Sequence, residues 1–90
     1  MVVSLFGKNG CAKCYSTRRK LSHLLRLWGL ESAIELRYHD METVDGLAEG
    51  MFNDVGTVPT TIVHQGSRRI ARWDGRIPKS GELKLYLLKQ

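Results

Sequence analysis

The chain has 90 residues, 42% of them hydrophobic and 26% charged, and a formal net charge of +5 at pH 7. That length holds one domain with no second core, and the apolar runs are too short for a membrane-spanning helix. The start, Met1-Val2-Val3-Ser4-Leu5-Phe6, has neither a basic stretch nor a long apolar one, so no signal peptide is expected and the cytoplasm is the expected location.

In chain order, the apolar, β-prone run Val2 to Phe6 predicts a first strand, and Gly7-Lys8-Asn9-Gly10 predicts a turn. From about Ala12 to Leu30 the pattern is helical. Leu21, Leu24, Leu25 and Trp28 recur at i, i+3, i+4 and i+7 as the buried stripe, and Gly29 suits a helix stop. A second strand is expected over about Ala33 to His39, with Ile34, Leu36 and Tyr38 on one side and Glu35, Arg37 and His39 on the other. A second helix runs from about Val44 to Phe52. Thr43 is its N-cap, and Val44, Leu47, Ala48, Met51 and Phe52 form its apolar, core-facing side. Thr60 to His64 predicts a third strand, Gln65-Gly66-Ser67 a hairpin turn, and Arg68 to Trp73 a fourth strand. A last helix starts at Ser80 as N-cap and runs to about Lys89, with Leu83, Tyr86 and Leu87 on one side. The order β-α-β-α-β-β-α implies an α/β fold: a right-handed crossover between two parallel strands, then an antiparallel hairpin. The expected architecture is a mixed four-stranded sheet with helices on both faces.

The only two cysteines are Cys11 and Cys14, in Cys11-Ala12-Lys13-Cys14, between the first strand and the first helix. A helix N-terminus carries partial positive charge and free backbone N–H groups, both of which favour a thiolate over a thiol. Cysteines in such places have pKa values of about 3.5 to 7.5 instead of about 8.5. The second thiol lies one turn deeper, in reach of the first. This pattern points to dithiol–disulfide exchange, with Cys11 as exposed nucleophile and Cys14 as the more buried resolving thiol. Lys8 and Lys13 add positive charge beside Cys11.

A rival chemistry for the same pair is copper or zinc binding or transfer. A structural zinc site wants four ligands, and the chain offers only these cysteines with His23, His39 and His64, on separate elements and without paired spacing. No metal ligands are assigned. Met41 and Met51 are read as core filling, and Tyr15 as packing under the dithiol. Two basic clusters, Arg18-Arg19-Lys20 with Arg26 and Arg68-Arg69 with Arg72 and Arg76, are read first as solvated faces. No nucleic-acid fold signature accompanies them, so no nucleic-acid partner is expected.

Val58-Pro59 follows Gly56-Thr57 and opens the third strand, where a proline needs no N–H. Cys11-Ala12-Lys13-Cys14 followed by Thr57-Val58-Pro59 resembles the thioredoxin fold, and within it the glutaredoxin branch. The resemblance covers nearly the whole chain by order of elements. It implies a cis Val58–Pro59 bond set against the dithiol, with the Val58 backbone free to pair with an extended substrate segment. It further implies glutathione as a cosubstrate held by Lys8, by the Thr57-Val58 backbone and by an acidic residue after the fourth strand, for which Asp74 is the candidate. The family's Gly-Gly pair is missing there. The stretch Trp73-Asp74-Gly75-Arg76-Ile77-Pro78 instead resembles, in part, glutaredoxin-like redoxins that serve ribonucleotide reductase and are recharged by a flavoprotein thioredoxin reductase. The resemblance thus implies a monomeric reductant of disulfide-containing proteins with no bound cofactor. Its electron donor is glutathione or that reductase, and its substrate-binding residues are Lys8, Lys13, Thr57, Val58, Pro59, Trp73 and Asp74.

Overall fold

A computed structural model describes residues 1–88. The elements are β1 (Val2–Gly7), α1 (Ala12–Leu27), β2 (Glu35–Asp40), α2 (Val44–Phe52), β3 (Thr60–Gln65), β4 (Arg68–Asp74) and α3 (Ser80–Leu87). The end expected for the last helix, near Lys89, lies outside the described residues. The four strands form one sheet in the order β2-β1-β3-β4. β1 pairs parallel with β2 and antiparallel with β3, and β3 pairs antiparallel with β4. No helix among the described residues is long and apolar enough to cross a membrane.

Strand alternation sorts β1 into two faces. Val3 and Leu5 point into the main core, where they join Leu21, Leu24 and Leu25 of α1, Val63, Trp73, and Leu83 and Leu87 of α3. Ser4 and Phe6 point to the other face, which α2 covers. Phe6 there stacks on His39, with ring centroids 4.6 Å apart.

Three boundaries depart from the sequence expectation. α1 ends at Leu27, one turn early, because Gly29 takes the left-handed conformation (φ 68°) that closes a helix. Trp28 caps the end and is only partly buried against the core. β2 begins at Glu35, because the backbone N–H groups of Ala33 and Ile34 go to the Leu30 carbonyl in a turn instead of joining the sheet. α3 is capped by Lys79, not Ser80. The Glu82 carboxylate accepts from the Lys79 N–H at 3.2 Å, and the Arg76 guanidinium grips both of its oxygens at 3.0 Å.

The largest departure is α2. Its span and its Thr43 cap are as expected, the hydroxyl accepting from the Gly46 N–H at 3.0 Å. Its apolar side, however, faces solvent: Val44 is 85% exposed and Phe52 75%, and Leu47, Ala48 and Met51 are exposed with them. The seated side is Gly46 and Gly50. A Cβ at Gly46 would collide with the Asp40 carbonyl, and one at Gly50 would lie 2.5 Å from the end of the Met41 side chain. The helix sits on the end of β2 by backbone contact, an approach only glycine permits. Apolar periodicity located the helix but named the wrong face as buried, and Met51 is not a core residue.

Two outcomes follow. Gly46→Ala gains about 1 kcal/mol of helix propensity but forces α2 off the sheet, so a net loss of about 2 kcal/mol is expected in chemical denaturation. Glu82, held first by Arg76 and then by the Lys79 N–H, has its pKa pulled from 4.5 to about 2. A depressed carboxylate stabilises above its unfolded pKa and loses that contribution as pH falls through the folded one. Thermal stability should therefore decline between about pH 4.5 and pH 2. Glu82→Gln should flatten that part of the melting-temperature profile.

Candidate active site

β1 runs out at Gly7, and the turn Lys8-Asn9-Gly10 delivers the chain to Cys11, the N-cap of α1 in extended conformation. The Cys11 sulfur does the work a serine or aspartate oxygen usually does: it accepts the Cys14 N–H at 3.1 Å. No acidic residue lies in the first turn of α1. Negative charge on this sulfur therefore meets an unopposed helix end. Cys14 is 2% exposed and disulfide-bonded to Cys11, which is only partly buried, with 5.2 Å between the α-carbons.

Cys14 is fixed from below. A Cβ added to Gly7 would lie 3.1 Å from Cys14 Cβ and 2.8 Å from the Tyr38 hydroxyl, so β1, α1 and β2 meet there at glycine distance. Thr17 is buried one turn on, its hydroxyl donating to the Lys13 carbonyl at 2.7 Å. Tyr38 carries the Arg18 guanidinium 4.3 Å above its ring. Burial raises the phenol pKa, the nearby Asp40 carboxylate adds to this, and Arg18 opposes it.

Cys11 opens onto a groove of about 580 Å³ lined by Lys8, Met41, Val55, Gly56, Thr57 and Val58. The Val58–Pro59 bond is cis, and Pro59 is fully buried. The Gly75 N–H donates to the Pro59 carbonyl at 2.7 Å, and Lys13 Nζ donates to the Gly75 carbonyl at 3.3 Å. The structure thus brings together Lys8, Cys11, Thr57 and Val58 at one groove, with Pro59 buried next to Val58 and Lys13 fastened to the loop beyond β4.

Two residues expected at the substrate groove are elsewhere. Trp73 is 4% exposed in the main core, where it meets Tyr86 edge-on at 5.9 Å; its alternation on β4 points it inward. Asp74 is held by Arg72, whose Nε donates to its two oxygens at 2.9 and 3.0 Å. That guanidinium also donates to the Asp54 carbonyl at 2.7 Å, so the pair braces the end of α2 to β4. Tyr15, expected under the dithiol, is 63% exposed beside it. Met41, expected as core filling, lines the groove instead, and Val55 and Gly56 with the neighbours Tyr38 and Arg18 were not singled out as site residues from sequence. Tyr38 read only as part of a strand alternation and Arg18 only as one charge in a run. Among the described residues no group of three His, Cys, Asp or Glu side chains comes together to hold a metal ion. Burial lowers the pKa of His39 and of His64.

The chain has the thioredoxin fold. Thioredoxin-2 of the malaria parasite, described as a component of its protein secretion machinery, superposes with a TM-score of 0.80 at 22% identity, covering 99% of this chain and 82% of that one. Thioredoxin 1 of Thermosipho africanus gives 0.77 at 20% identity over 98% and 96%. A structure described only as a malarial protein gives 0.76 at 24% identity over 98% and 92%. No protein-family model and no curated protein sequence matches the chain.

After reduction, the two thiols should ionise far apart in pH. Alkylation by iodoacetamide is expected to modify Cys11 with a midpoint below that of free cysteine, because the helix end holds its thiolate. Cys14 should ionise above it, because burial disfavours its charge. Equal midpoints would contradict the geometry.

Proposed function

We propose that the chain is a dithiol–disulfide oxidoreductase that reduces disulfide-containing proteins. The observation that carries the reading is the asymmetry of the pair: one sulfur capping a helix at an open groove, its mate buried and within bonding reach. In the reduced protein, the Cys11 thiolate attacks one sulfur of the substrate disulfide. That bond breaks, one substrate thiolate leaves, and a mixed disulfide forms. Cys14 gives up its proton and attacks the Cys11 sulfur, expelling the second substrate thiolate and closing Cys11–Cys14. Two electrons pass from the dithiol to the substrate, which ends as two thiols. Thr57 and Val58 line the groove beside Cys11, and an extended segment laid there is recognised strand-wise, without the reading of a particular side chain.

For recharging, we favour a flavoprotein reductase of the thioredoxin reductase kind over glutathione. Lys8, Thr57 and Val58, the residues the glutaredoxin resemblance assigns to glutathione, line the groove beside Cys11. The acidic residue such a site also needs is already engaged, since Asp74 is paired with Arg72. The fold itself is that of thioredoxins.

Cys14→Ser should accumulate mixed disulfides with protein substrates, visible as reductant-sensitive adducts on gels. Cys11→Ser should lower insulin reduction by about a thousandfold or more, to background. Insulin reduction by Cys11→Ser at the wild-type rate would end this assignment. Parallel turnover with thioredoxin reductase and with glutathione plus its reductase identifies the donor. Turnover sustained by glutathione alone would overturn the preference for a flavoprotein.

A further inference from the structure

α1 contains five basic residues, Lys13, Arg18, Arg19, Lys20 and Arg26, and no acidic one. Its solvent-facing stripe repeats at 15, 18, 19, 22, 23 and 26, the i, i+3, i+4 spacing of a single helix face. Two open depressions run along this stripe and meet at Arg18. One lies over the disulfide, bounded by Lys8, Tyr15, Arg18 and Tyr38. The other, of about 400 Å³, continues over Arg18, Arg19, His23 and Arg26. Together they make a track from Cys11 along the helix, about 22 Å long at about 1.5 Å per residue. About seven residues of extended chain would fill it.

The Arg18 and Arg19 guanidiniums on this track are positioned without carboxylates. Arg18 lies over the Tyr38 ring and Arg19 over the exposed Tyr15 ring, 5.6 Å from its centroid. Among the described residues neither is ion-paired, and Arg26 meets Glu31 only at 3.8 Å on the open surface. The carboxylates at the dithiol end are turned to backbone: Glu42 accepts from the Asn9 N–H at 3.1 Å and Asp40 from the Glu42 N–H at 2.9 Å. Elsewhere Arg37, Arg72 and Arg76 are closely paired, with Glu35, Asp74 and Glu82, while Arg68 and Arg69 of the β3–β4 hairpin stand outside the ion pairs among the described residues. Arginine beside an exposed tyrosine is the composition of an interface centre.

We infer that the redox partner carries an acidic segment next to its reactive disulfide, and that this segment lies along the outer face of α1 from Cys11 toward Arg26. The inference rests on the oxidoreductase reading and adds the class of protein that reads this surface. A nucleic acid would also meet the charge. The track favours a peptide because it begins at a disulfide-exchanging sulfur and is one residue-wide helix stripe.

The test uses the pre-reduced full chain and three synthetic peptides of about a dozen residues, each joined to its copy by a cystine disulfide. The residues beside the cysteine are glutamates, serines or lysines. Each turnover consumes one peptide disulfide, releases two peptide thiols and closes Cys11–Cys14. At about 20 mM salt the glutamate peptide is expected to be reduced about tenfold faster than the serine peptide. The lysine peptide should be slower than either, and the preference should fall to about twofold at about 300 mM salt as screening shortens. Arg19→Glu/Arg26→Glu should bring the low-salt preference below about twofold. Equal rates for glutamate and serine peptides would overturn the inference while leaving the oxidoreductase reading standing. Reduction of none of the three would remove that reading itself. Tighter binding of a single-stranded DNA of about 20 nucleotides than of the glutamate peptide, measured by fluorescence anisotropy, would reassign the track to nucleic acid.

Discussion

The site is set by how closely the first turn of α1 approaches the end of β1. At Gly7 there is no room for a side chain between the strand, Cys14 and the Tyr38 hydroxyl. That approach buries Cys14 and leaves Cys11 at the rim, where its sulfur accepts the Cys14 N–H in the first turn of the helix. Unequal sulfurs are what thiol–disulfide exchange requires: one that attacks readily, one that stays a thiol until the mixed disulfide forms. The inequality here comes from packing and a helix end.

The surrounding fold divides its labour between two faces of one sheet. The face under α1 and α3 holds most of the apolar burial, from Val3 and Leu5 to Leu83 and Leu87. The face under α2 is mostly polar, with Ser4, Arg37, His39, His64 and Arg69 around a cavity. The first face provides the stability that lets a short chain hold the corner of loops around Cys11, while the second anchors those loops by hydrogen bonds, as Arg72 does between Asp74 and the Asp54 carbonyl.

Most of this was legible from residues. The Cys-x-x-Cys pair, the Thr57-Val58-Pro59 turn and the order of elements were enough for the fold, and the thiols sit where their spacing placed them. What stayed hidden depended on contacts between distant segments. Trp73 was drawn to the groove by its neighbours in sequence, but β4 alternation turns it into the core. Asp74 looked free because Arg72, two residues away, is indistinguishable in sequence from the other cations nearby. α2 misled for a different reason. Hydrophobic periodicity finds a helix, yet the buried side is chosen by how near another backbone comes, and a Cys-free, Gly-containing stripe carries no apolar signal.

That glycine seam divides the positions of α2 by what substitution there can disturb. Residue 46 has no alternative to glycine without moving the helix, whereas 44, 47, 51 and 52 touch nothing in the core. Selection for stability watches the first and is blind to the rest, so this helix can drift in sequence while its axis stays put.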